Sequence, residues 1–187
     1  MPNNKSIKVI FTRRTFNPMS LLIRWMVPRS RTTLAGSSHS MVVDGDTGHV
    51  IEAHMLDGVR RVPIATAIKG AKVVRIAVYE VADAKAGLDW WRSQICQYKP
   101  NLPRWMPAWL QAPVGVVLRL IHNNYDFKGA VGIGIAPDRN WQDPINWSCF
   151  EGTARTIKEA GSDVFAESGY MTETILLAVK HSTVPAL

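Results

Sequence analysis

Short stretches in the first eighty residues alternate apolar and polar positions, and after residue 82 the apolar spacing lengthens to about four. The chain therefore reads as strands first and helices later. Residues 7–11 predict a first strand. Residues 18–25, with Pro18 near the start, predict a short helix. A polar loop over 29–38 leads into a hairpin with arms 39–43 and 49–54 and an Asp/Gly turn over 44–48. Residues 58–63 and 72–79 predict two more strands. Residues 82–97 hold few breakers and predict a helix. Residues 99–113 hold four of the 11 prolines, with Trp105 and Trp109. They predict an irregular insertion folded over the sheet or over the mouth of a site as a lid, since prolines oppose a long helix and exposed tryptophans are costly. A short helix is expected over 114–122, a helix over 148–160 closed by Gly161, and a last strand over 174–179. The sum is an α+β fold. One domain over residues 1–187 is expected, a small antiparallel β-sheet or barrel packed against helices.

Composition narrows this without changing it. Of the 187 residues 47% are hydrophobic and 20% charged, which suits one packed domain and excludes a disordered, collagenous or coiled-coil chain. No apolar run approaches the roughly 18 residues of a membrane helix, and the first residues lead into a strand, not a signal-peptide core. The expectation is a protein that does not span a membrane. It is placed in the cytoplasm, or with a virion or cell envelope without a recognisable signal peptide.

The net charge of +7 is unevenly spread. Residues 1–43 carry Lys5, Lys8, Arg13, Arg14, Arg24, Arg29 and Arg31 and none of the 15 acids. An anionic surface is the partner class such a stretch fits, and a solvated basic face explains the same residues. No nucleic-acid motif accompanies it, so no specific nucleic-acid site is expected. The two cysteines, Cys96 and Cys149, are too few for a disulfide framework and lack zinc-site spacing. Cys96, beside Ile95 and Trp91 in the predicted 82–97 helix, reads as core.

Cys149 is the most informative residue. Ser148 followed by Glu151 is a capping box that starts a helix and puts Cys149 in its first turn. Unpaired amides and the positive dipole end there favour a thiolate, the form a cysteine nucleophile uses. The competing reading is a small buried residue at a helix start.

The hairpin offers a base. With an even loop centred on Asp46 and Thr47, paired residues sum to 93, so Met41 faces Glu52 and His39 faces His54. Glu52 is then diagonal to His39 on one face and can hold its ring. The competing reading is a solvent-facing polar edge. A metal site of His39, His49, His54 and Cys149 is not expected, because His49 has the wrong parity and the spacing fits no zinc pattern.

These segments resemble the circularly permuted papain-like cysteine hydrolases. The branch is the YiiX-like one, related to NlpC-type cell-wall peptidases and to lecithin retinol acyltransferase. Residues 38–43 and 50–53 resemble the family's histidine strand and the strand after it. Tyr125-Asp126 is similar to its Tyr-Asp motif, and residues 147–151 to its Trp-x-Cys-Ser-Glu nucleophile motif. Residues 20–24 resemble the helix before the histidine strand. The order histidine, carboxylate, cysteine is the permuted one.

The resemblance covers about residues 7–161. It implies a permuted papain-like fold with Cys149 as nucleophile, His39 as base and Glu52 as orienting acid. Tyr125 is implied near the oxyanion site, and Tyr125, Trp147 and His54 are the candidate substrate-binding residues. The implied activity is a thiol hydrolase cleaving an amide or ester through an acyl-enzyme, with no metal or cofactor. A peptidoglycan-type peptide, another peptide or a lipid ester would be the substrate. Phe150 departs from the family's Ser, and residues 99–113 lengthen the stretch before Tyr125. The alternative from a different class is a non-enzymatic binding or envelope-associated structural protein using the basic N-terminal stretch.

Overall fold

The structure, a computed structural model, describes residues 5–14, 20–21, 37–45, 47–126 and 147–162. Five strands, β1 (Ser6–Arg13), β2 (His39–Val43), β3 (His49–His54), β4 (Gly58–Pro63) and β5 (Lys72–Glu80), form one sheet in the order β4-β3-β2-β1-β5. Every pairing is antiparallel. Among the described residues β4 and β5 are edges, so the fold is α+β with an open sheet and not a closed barrel. The hairpin pairs Val42 with Ile51 and Val43 with Val50, the register that sums to 93. The predicted helix over 18–25 lies outside the described residues apart from Ser20 and Leu21, which are helical, and the predicted strand over 174–179 lies wholly outside them.

Alternation divides the sheet between two packing layers. Ile7, Val9, Phe11, Val42, Ile51, Ala53, Ala77 and Tyr79 belong to the layer that includes Leu88, Trp91 and Ile157 of two helices, α2 (Ala84–Ser93) and α4 (Cys149–Glu159). Ile10, Met41 and Val50 pack with Ala67 of the single-turn α1 (Ile64–Ala67) in the other. Each fully buried side chain of this kind contributes about 1.5–3 kcal/mol over its exposed state.

Helices α2 and α4 lie against each other at two glycines. A Cβ on Gly152 would stand 2.2 Å from the Trp91 ring, and one on Gly87 would stand 2.4 Å from the Thr156 carbonyl oxygen. Both ends of α4 follow the sequence reading. Ser148 Oγ accepts from Glu151 N at 3.3 Å, and after the helix Gly161, at φ +78, lets the Ser162 and Gly161 amides return to the Ile157 and Lys158 carbonyls.

Three expectations are corrected. The 82–97 helix ends at Ser93, and the chain turns so that Cys96 N donates to Val59 O of β4 at 2.7 Å. Cys96 is therefore beyond the helix and half-buried, not mid-helix core. Residues 99–113 are not wholly irregular: α3 (Ala108–His122) begins six residues before the expected 114 and runs through Pro113. Pro107 is its N-cap and Pro100 and Pro103 precede it, so only Pro113 removes a ladder bond, and it does so near the helix start. Lastly, Trp105 and Trp109 are not covered; they are 81% and 75% exposed.

Candidate active site

β2 places two neighbouring residues in different roles. Ser40 points to the helix layer, and its hydroxyl donates to the Cys149 carbonyl at 2.9 Å; Thr153 Oγ1 donates to the same oxygen at 2.8 Å. The first residue of α4 is thus tied to the middle of the sheet. His39, one residue earlier, has the opposite parity and extends toward Glu52 of β3, Nε2 to Oε2 at 2.6 Å. Glu52 is 2% exposed and His39 24%. The parity argument and the register of the sequence analysis are therefore sufficient to join these two.

Glu52 has a second partner that sequence reasoning missed. Arg60 of β4 is its direct cross-strand neighbour and donates from Nε at 2.8 Å and from Nη2 at 2.5 Å to Oε1. Arg60 Nη1 also donates to Asp57. Asp57-Gly58 is a legible turn between residues 49–54 and 58–63, so continuing the register across the second hairpin would have found it.

Burial opposes ionisation of Glu52, but the hydrogen bonds and charges of His39 and Arg60 outweigh it and bring the carboxyl down to about 2. Burial likewise opposes the imidazolium of His39. The charge and hydrogen bond of Cys149, with those of Glu52, overcome this and raise His39 to about 10. Tyr125 is moved well up by burial, then by the Cys149 and Asp126 charges, so its hydroxyl keeps its proton.

A cavity of 120 Å³ opens at this point. Its lining includes His39, Glu52, Cys149, Tyr125, His54 and Arg60. The serine hydroxyls of Ser20 and Ser38, also in the wall, share a hydrogen bond of 2.5 Å. His54 Nδ1 lies 3.1 Å from Asp57 Oδ2, and burial followed by the Arg60 charge lowers the His54 pKa. No residue of 99–113 is in the wall, so the lid expected there does not border this cavity.

Trp147 is the candidate that the cavity does not include. It packs edge-on against Trp90 and Trp91, 5.1 and 6.3 Å between ring centroids, and its Nε1 donates to Gln94. Its backbone pairs with Tyr125: Trp147 N donates to Asn124 O at 2.8 Å and Asp126 N to Trp147 O at 3.2 Å. Trp147 positions Tyr125 from behind and has no surface in the cavity wall. Among the described residues no group of three His, Cys, Asp or Glu side chains is placed to hold a metal ion, and both cysteines are free thiols.

A thiol at a helix start, an imidazole and a buried carboxylate thus meet at one opening. No protein-family model matches the chain, and no curated protein sequence matches it.

Proposed function

We propose that the chain is a thiol hydrolase of the permuted papain-like kind, cleaving an amide or ester through an acyl-enzyme on Cys149. One observation carries the reading. His39 Nε2 is committed to the ionised Glu52, which leaves Nδ1 for the Cys149 sulfur in the cavity. At neutral pH the ring then carries its proton beside the Cys149 sulfur, which reacts as the thiolate while the ring serves as the acid.

The steps follow from that charge state. The Cys149 sulfur attacks the carbonyl carbon and a C–S bond forms. The carbonyl oxygen becomes negative beside the Cys149 amide, which as the first in α4 has no partner within the helix, and beside the protonated Tyr125 hydroxyl. The C–N or C–O bond breaks and the leaving group takes the proton of His39. Acylation removes the negative charge from sulfur, and with it the largest influence that held His39 protonated. The neutral ring then takes a proton from water. The hydroxide formed breaks the thioester, and the released thiolate pairs again with the imidazolium. Peptides, peptidoglycan-type peptides and lipid esters all present such a carbonyl.

The test is alkylation followed by acylation. Iodoacetamide at neutral pH labels Cys149 ahead of Cys96, and His39→Ala slows that labelling by about 10²-fold or more. With p-nitrophenyl acetate, intact mass shows one acetyl group on Cys149, and Cys149→Ser abolishes turnover. Labelling of Cys96 first, or a Cys149 rate indifferent to His39, overturns the proposal.

A further inference from the structure

The solvent side of α3 is apolar along its length, and none of its 15 residues is buried. Trp109, Val116, Val117, Leu120 and Ile121 recur at three- and four-residue spacing and are all exposed, so they form one stripe, which Trp105 extends from the preceding turn. Leu110, Val114 and Leu118, in the adjoining row of the helix, are half-buried. A helix that faces water normally carries charged residues there; α3 has only Gln111, Arg119 and His122 as polar side chains. A contiguous exposed apolar surface of this kind marks a docking site.

The surrounding charges select what docks. Between Asp89 and Asp126 the sequence has no acid; of the four cations there Arg92 pairs with Asp44 and Asp89 and Arg119 with Asp57, which leaves Lys99 and Arg104 without an ion pair among the described residues. Arg104 adjoins the tryptophan end of the stripe, and Lys99 follows Tyr98, whose ring lies 4.9 Å from that of His122 at the other end. A second copy of the chain would bring these same cations against one another, which opposes self-association through this face. An anionic lipid surface offers hydrocarbon to the stripe and negative headgroups to the cations. Tryptophan suits that boundary, with an apolar ring and a hydrogen-bonding edge. The helix spans about 22 Å, short of the roughly 30 Å hydrocarbon core, so it would lie in the interface plane. No helix among the described residues is long and apolar enough to cross a membrane.

We propose that α3 and the turn before it dock the protein on an anionic bilayer surface. The assay mixes the full chain with vesicles of phosphatidylcholine alone or mixed with phosphatidylglycerol. Binding is read by sedimentation and by the blue shift of tryptophan fluorescence. The expected result is binding to the anionic vesicles, weakened by salt and by omitting phosphatidylglycerol. Val117→Asp, at an exposed position, weakens binding by about tenfold or more with an unchanged circular dichroism spectrum. Lys99→Glu with Arg104→Glu weakens it without touching the helix. Cys149→Ser binds as the natural chain does, which separates this result from any result on catalysis. Absence of binding to the anionic vesicles overturns the proposal. Binding indifferent to Val117→Asp also overturns it and assigns the attraction to the basic N-terminal stretch. A dimer that Val117→Asp dissociates, with no vesicle binding, assigns the stripe to a second copy.

Discussion

At the scale of single residues, the charge state of His39 decides what the site can do. Its pKa near 10 comes against burial from the Cys149 sulfur and Glu52, so the imidazolium persists through neutral pH. Loss of that proton removes the acid that serves the leaving group. The acylation rate is therefore expected to hold through neutral pH and to fall as pH nears 10. Glu52→Gln removes one of the groups that raise His39, so the alkaline fall moves to lower pH. A pH profile of kcat/KM for both proteins checks this, and an unmoved alkaline limb would remove Glu52 from the pair. Arg60 also belongs to this scale. It holds the other oxygen of Glu52 and keeps the carboxylate aimed at the ring.

At the scale of elements, the position of the cysteine depends on how closely α2 and α4 approach. Gly152 lies one turn after Cys149 on α4, and its missing Cβ is the space taken by the Trp91 ring. Gly152→Ala is expected to cost about 1–3 kcal/mol by overpacking and to loosen the Cys149 end of α4. Urea unfolding measures the first effect and the iodoacetamide rate of Cys149 the second. An alanine variant as stable as the natural chain would mean that Trp91 has room to turn away. The helix at Cys149 was legible from its cap, Ser148, and the helix Ala84–Ser93 from its lack of breakers, while its own cap, Asp83, was not read from the sequence. The start of α3 was not legible, because the prolines that signal a break in sequence precede the helix or sit in its first two turns.

At the scale of the whole molecule, two buried carboxylates hold separate parts together. Glu52 joins β3 to β2 and β4 through His39 and Arg60. Asp44, at the hairpin turn, joins β4 and α2 through Arg61 and Arg92. Burial opposes ionisation of Asp44, and the two guanidinium groups overcome it, so its carboxyl lies below the usual range. Groups lowered in the folded chain bind protons more readily when it unfolds. Their stabilisation is present above the ordinary values of 3.8 and 4.5, and for Glu52 it is lost as pH falls toward about 2. His39 acts in the other direction: its contribution is complete below 6.5 and is lost as pH rises toward about 10. His54, lowered by burial and then by Arg60, adds to the acid loss, because the unfolded ring takes up a proton below 6.5 more readily than the folded one. Stability is thus expected to be greatest near pH 6.5 and to decline on both sides. Denaturation across pH measures it. Glu52→Gln should flatten the acid side, which carries about 3 kcal/mol from this group.

Period-two alternation and one turn register placed His39 and Glu52 on a common face, and a cap pattern placed Cys149 at a helix start. Those are local properties, set by backbone geometry over a few residues, so the sequence by itself determined them. The tertiary structure decided the meeting of α4 with β2 through Ser40, the second hold of Arg60 on Glu52, and the withdrawal of Trp147 into a tryptophan cluster behind Tyr125. It also decided which tryptophans are covered. Trp91 and Trp147 are taken into the core by helices close enough to enclose them, while Trp105 and Trp109 are left in water on α3, none of whose residues is buried. Burial depends on which distant surfaces come together, and no local spacing carries that information.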